Sequence, residues 1–235
     1  MEVSDVLSAL FRWIHIVAGI IWIGLLYFFN FVNIPFAAKM KEAGGGKTTV
    51  PELMPRALYW FRWGAAWTWV TGVLLLMIVF YHGGLMFEGE GGWGTPVFVM
   101  LGVVFLGVFL YDLMLKTPLG ADNKRAGTAG LILIAVVVLL MTEWAGFSYR
   151  SYVIHTGALL GTIMAFNVWF RIWPAQQKII AATKSGEAPD PALLALGHEL
   201  AAGEIDRIDG RRTNVERRQR LVQRLSALDR GQHLV

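Results

Sequence analysis

The chain has 235 residues, 55% hydrophobic and only 16% charged, with 10 Trp, 26 Gly, no Cys and a formal net charge of +4. Soluble domains carry roughly 25% charged residues, so this shortfall, with a mean hydropathy of +0.51, marks an integral membrane protein. Zero cysteine excludes, within these residues, disulfides, thiolate zinc sites, iron–sulfur clusters, a cysteine nucleophile and covalent haem attachment through C-x-x-C-H.

Five apolar stretches reach the roughly 20 residues that a helix needs to cross hydrocarbon. The first runs from about Leu10 to Val32. It is too long for a cleavable signal peptide, lacks a small-residue cleavage site and has no clearly basic start. A loop with Lys39, Lys41, Lys47 and Arg56 follows. Its Gly44-Gly45-Gly46 reads as a flexible piece without the spacing of a phosphate loop. The second stretch runs from about Tyr59 to Tyr81, and its following glycine-rich turn holds Glu88 and Glu90 but no Lys or Arg. The third, about Thr95 to Leu115, is followed by Lys116, Lys124 and Arg125. The fourth runs from about Thr128 to Trp144, and the loop after it offers Glu143 and only Arg150. The fifth runs from about Ser151 to Trp173, with Arg171, Lys178 and Lys184 toward a basic tail.

The expected fold is therefore all-α: an integral membrane bundle of about five transmembrane helices over residues 1–175, with a cytoplasmic helical tail over 176–235. The positive-inside rule puts the N-terminus outside and the C-terminus in the cytoplasm. Gly186 through Pro191 interrupts the chain before the tail. From Ala192 to Gly231 two amphipathic helices are expected. One has a stripe of Leu193, Leu196 and Leu200, the other of Leu221, Leu225 and Leu228 beside Arg217, Arg218, Arg220 and Arg224. Such a tail lies on anionic lipid headgroups or docks on a partner subunit. The basic charge belongs to loops and tail, so no nucleic-acid partner is expected.

Ionisable groups within spans are costly and ask for a role. His15, His82 and His155 all fall toward the outer surface, within roughly one helical turn of one another in depth. Two imidazoles at one depth suggest axial ligands of a b-type haem. His15 and His155 form the preferred pair, both lying inside spans. Around His15, Gly19 and Trp22 continue the same face inward, and Arg12 lies one turn outward, where propionates would sit. Around His155 the small residues are Gly157, Ala158 and Gly161. His82 is a second candidate, on a face that continues through Leu75, Thr71 and Thr68 to Gly64. Two other readings stand beside the haem. The histidines are interfacial polar residues with backbone or water partners, or three ligands of a metal without porphyrin.

A second polar set lies at the opposite depth. It comprises Asn30 and Asn33, Arg62, Asp112, and Asn167 with Arg171. Asp112 inside an apolar run wants a cation, either Arg171 or Arg62. The set either holds helices together or lines a polar pocket, in which Asn30, Asp112, Asn167 and Arg171 face a substrate, a quinone headgroup or a proton path.

The stretch from Arg12 to Asn33 contains W-x-H at Trp13 and His15, and W-x-G-x-x-Y-F-x-N from Trp22 through Gly24, Tyr27 and Phe28 to Asn30. It resembles the first span of the membrane domain of the bacterial cytochrome-c-type urate oxidases. Arg56 through Ala65 and Tyr111-Asp112 add to the likeness, and Arg211-Arg212-Thr213-Asn214 is similar to the family's lead-in to its next span. The resemblance implies a multi-span domain in the bacterial inner (plasma) membrane, coupled to a C-terminal cytochrome c domain and oxidising urate to 5-hydroxyisourate. Here no hydrophobic span follows Asn214 and no C-x-x-C-H is present. The expected electron acceptor is then a separate cytochrome. The early histidine is also similar to that of the membrane protoporphyrinogen oxidases.

The sequence thus points to a membrane redox subunit holding b-type haem non-covalently and partnered by the bilayer, by other membrane subunits or by an outer cytochrome c. The alternative is a cofactor-free structural or assembly subunit of a larger complex. A transporter is disfavoured, because no internal repeat or pair of broken helices is evident.

Overall fold

The computed structural model describes residues 3–88 and 91–187. The expected amphipathic pair, Ala192 to Gly231, lies outside the described residues. Within them the chain is helical, and the single β-bridge, Phe87 with Phe147, joins two loops. The helices are α1 (Val3–Tyr27), α2 (Ile34–Glu42), α3 (Gly46–Leu75), α4 (Thr95–Leu115), α5 (Asn123–Leu139), α6 (Tyr149–Asn167) and α7 (Trp173–Ser185). Wide π turns at Phe28–Asn33, Leu76–His82, Leu140–Trp144 and Val168–Ile172 continue α1, α3, α5 and α6. Each π turn inserts about one extra residue and so rotates the following face by roughly 100°.

Five continuous helices are long and apolar enough to cross a membrane: Val3–Met40, Gly46–His82, Thr95–Leu115, Lys124–Trp144 and Tyr149–Ser185. Each contains one of the five expected spans. Four of them outrun the apolar stretches, however, three by two turns or more. The long loop expected between the first two spans shrinks to a turn at Ala43–Gly45, where Gly44 adopts φ +75°. Hydropathy ends a span where charges begin, but a helix continues wherever one face still finds a partner. On α7 that face is Ala175, Ile179 and Ile180, all buried, and Ile180 packs in one cluster with Leu58 and Phe61. Gly186, at φ +79°, ends α7, its N–H and that of Glu187 bonding to Thr183 O and Ala182 O.

α1 lies along α3 with the backbones nearly touching. A Cβ added to Gly64 would stand 3.2 Å from Trp22 N and 3.3 Å from Ala18 O. Small residues at such crossings let membrane helices gain dispersion contacts that lipid cannot supply. A second core, toward the other end, joins α4, α5 and α6 through Val104, Met141 and Leu159. Large apolar side chains such as Ile20, Trp13 and Leu131 remain exposed on the outer faces, as a lipid-facing surface requires.

Candidate functional site

The nominated residues fall into two polar groups at opposite ends of the bundle. At the end carrying the Gly83–Gly94 loop, His15 is half-buried between α1 and α3. Its Nδ1 stands 3.2 Å from Thr71 Oγ1. Thr71 has one hydroxyl proton, and Trp67 O, at 2.6 Å, is its closest acceptor. A hydroxyl whose proton is so engaged can only accept from the imidazole. The neutral His15 ring is therefore held as the Nδ1–H tautomer, with its lone pair on Nε2. No described residue bonds to Nε2. Gly72 makes room for the ring, since a Cβ there would lie 3.1 Å from His15 Cε1. Beside His15 the outer face of α1 carries a shallow, largely open groove lined by Ile16, Gly19, Ile20, Ile23, Gly24 and Tyr27.

His155 is placed differently. It is fully buried, at 0% exposure. Its Nδ1 is 2.7 Å from Ser151 O. A carbonyl only accepts, so Nδ1 is protonated and Nε2 accepts the Tyr81 O–H at 3.1 Å. The rings of Phe80, Tyr81 and Phe147 surround the imidazole. Ser151 Oγ reaches Met86 Sδ, and Ser148 Oγ donates to Leu85 O, so the two loops at this end are laced to the start of α6.

No hydrogen bond or ring contact joins His15 to His155 among the described residues. His82 is exposed at the end of its π turn. Arg12 is exposed one turn from His15, and Gly19 lines the groove. Trp22 does not reach the groove; it is buried against Leu58, Phe61 and Ala65. Gly157 and Gly161 face open space rather than a neighbouring helix. No group of three or more His, Asp or Glu that could hold a metal ion occurs among the described residues.

The fit to a haem is thus uneven. An iron ligand needs a free lone pair and, on the other nitrogen, a partner that fixes the ring. His15 has both. His155 has neither a free nitrogen nor space beside it, so a bis-imidazole pair of these two residues does not fit.

At the opposite end, Arg171 donates through Nη2 to Asp112 on α4 and through Nη1 to Asn167 Oδ1 at 2.7 Å. Arg171, not Arg62, is therefore the cation that Asp112 meets. Asn30 donates to Leu26 O at 2.8 Å, and its Oδ1 is buried without a partner. Arg62 stands within a set of aromatic rings. Its Cζ is 4.0 Å from the centroid of Trp173, 5.5 Å from Trp169, 5.8 Å from Tyr59 and 6.0 Å from Trp63. The sequence places Thr71 on the face of His82 rather than beside His15, and it does not single out Tyr81 or the aromatic surround of Arg62. The hydroxyl stripe on α3 was the signal that held Thr71.

A family model described as urate oxidase N-terminal matches residues 1–202 of the chain. No curated protein and no solved structure matches it.

Proposed function

The chain belongs to the urate oxidase N-terminal family, and from that premise we propose that it is a membrane redox subunit of a urate-oxidising system. One observation carries the reading: His15 presents an Nε2 lone pair, with its tautomer set by Thr71, beside an open groove. That is the donor arrangement of a haem ligand held by an outer partner. A b-type haem bound there supplies a one-electron couple inside a low-dielectric slab. His15 orients and holds it. Gly19 and Gly24 form the low points of the groove between Ile16, Ile20, Ile23 and Tyr27, and Arg12, one turn toward the surface, stands where carboxylates would meet water. In this reading the N-terminus faces outward, the basic loops face the cytoplasm of a bacterial inner membrane, and electrons pass to an outer cytochrome.

A second reading, a cofactor-free structural or assembly subunit, is favoured by His155. Both of its nitrogens are satisfied by protein atoms, which is how a purely structural histidine is held.

An optical spectrum of the purified protein, expressed with added haem precursor, separates the two. The redox reading expects a Soret band that is lost or shifted in His15→Ala and retained in Tyr81→Phe, which disturbs only the His155 cluster. Absence of bound haem, or an unaltered spectrum in His15→Ala, overturns it in favour of the second.

A further inference from the structure

Arg62 is a cation at membrane depth whose charge is not met by any described residue. The other arginine at this level, Arg171, is answered by Asp112 and Asn167. Arg62 forms no ion pair and its guanidinium makes no hydrogen bond to a described residue. Its Nε is buried without a partner. Its terminal nitrogens, equally unbonded, are not sealed in the same way, because the residue is half-buried.

The aromatic rings hold this side chain without satisfying it. Trp173, at 4.0 Å, and Trp169, at 5.5 Å, contact the guanidinium through ring faces. Trp169 is itself pinned by its Nε1–H, which donates to Arg62 O at 3.0 Å. Cation–π attraction stabilises the charge. It supplies no acceptor in the guanidinium plane, where all five N–H bonds point. A planar fork with unused donors fits an oxyanion bidentately.

The depth identifies the oxyanion. Tyr59, Trp60 and Trp63, on the same turns of α3, are 48%, 57% and 37% exposed. Trp67 and Trp69 extend this exposed aromatic band along α3. On the other side the exposed Arg56, paired with Glu52, lies less than two turns from Arg62. Trp and Tyr beside such solvated charges mark the headgroup layer. We propose that Arg62, with Trp173 and Trp169, forms a binding site for the phosphate of an anionic phospholipid headgroup. A soluble phosphate has the same chemistry and is the competing source. The site stands apart from His15 and does not rest on the redox reading.

The test is native mass spectrometry of the full chain released from micelles containing equal phosphatidylglycerol and phosphatidylcholine. The wild type retains phosphatidylglycerol in preference to phosphatidylcholine. Arg62→Gln lowers that retention about tenfold, the scale of one charge-assisted bidentate contact. Arg62→Lys, which preserves charge and guards against misfolding, falls between the two. Arg56→Gln, at an exposed residue paired with Glu52, leaves retention unchanged. Excess inorganic phosphate fails to displace the lipid. Equal retention by wild type and folded Arg62→Gln overturns the site, and displacement by inorganic phosphate overturns its assignment to lipid.

Discussion

His15 Nδ1 and Thr71 Oγ1 stand 3.2 Å apart across the contact between α1 and α3. The relationship sets a tautomer, because Thr71's proton is engaged by Trp67 O. It also fixes the rotation of the imidazole, with Gly72 behind the ring. One helix supplies the donor nitrogen, and the other decides which nitrogen that is.

Thr71→Val removes the acceptor for His15 Nδ1–H while nearly preserving volume. Loss of an outer partner of this kind typically weakens a ligated group by roughly 10–100-fold. On the proposed redox reading, haem titration followed by Soret absorbance should register that loss, and Thr71→Ser should recover most of it. Equal affinity in folded Thr71→Val would show that Thr71 does not position the ligand.

Tyr81→Phe leaves His155 Nε2 sealed in the protein with no donor. An orphaned buried acceptor costs roughly 1–3 kcal/mol. The midpoint of thermal unfolding in detergent should drop, while any spectrum that depends on His15 stays as it was. A drop in haem binding with no loss of stability would instead assign His155 to the ligand set.

Gly64→Ala places a methyl group against Trp22 N and Ala18 O. Backbone atoms on a packed helix cannot move aside as a side-chain tip can. Overpacking of this sort costs about 1–3 kcal/mol. Gly24→Ala is the control, because nothing lies within 4 Å of its added Cβ. Comparing the two unfolding midpoints checks the prediction, and equal midpoints would refute the close approach of α1 and α3.

Asp112→Asn leaves the Arg171 guanidinium bonded to Asn167 but without a counter-charge. A fully buried pair loses about 3–5 kcal/mol when one partner goes. Here the two side chains are 24% and 25% exposed, so a loss of roughly 1–3 kcal/mol is expected after screening. The double variant Asp112→Asn with Arg171→Gln should regain part of it, because no lone charge then remains. Denaturation of all four combinations measures the coupling directly.

The spans were legible because crossing hydrocarbon demands little beyond length and apolarity. Their continuations past Val32, before Tyr59 and past Trp173 were not, because those turns are held by one face against a neighbour that composition cannot identify. The site divides in the same way. The stripe Thr68, Thr71 and Gly64 is visible as one helical face. Extending it to His82 assumed unbroken α-spacing, and the π turn at Leu76–His82 rotates the later residues off it. The stripe therefore serves α1 and His15, while Tyr81 is delivered to His155. For Asp112 the sequence narrowed the cation to Arg171 or Arg62. Only the placement of α4 beside α6 decided between them, and that left Arg62 to its ring of tryptophans.

Three helices outrun the apolar slab by two turns or more at one end, while α1 also begins at Val3, ahead of Leu10, at the other. α2, the first turns of α3 and α7 all continue beyond the level of Arg62, and α2 and α7 both pack on α3. From Gly46 to Tyr59, and again from Trp173 to Ser185, the overhang is roughly 18–20 Å at 1.5 Å per residue. Rods that cross the bilayer and emerge as continuous helices act as levers, with Pro51 and Pro55 in α3 and the π turns before α2 and α7 marking where each can bend. If the spans tilt by about 10°, the far tips swing by about 3–4 Å. A rearrangement too small to open the bundle is thus enlarged where the chain meets the aqueous phase.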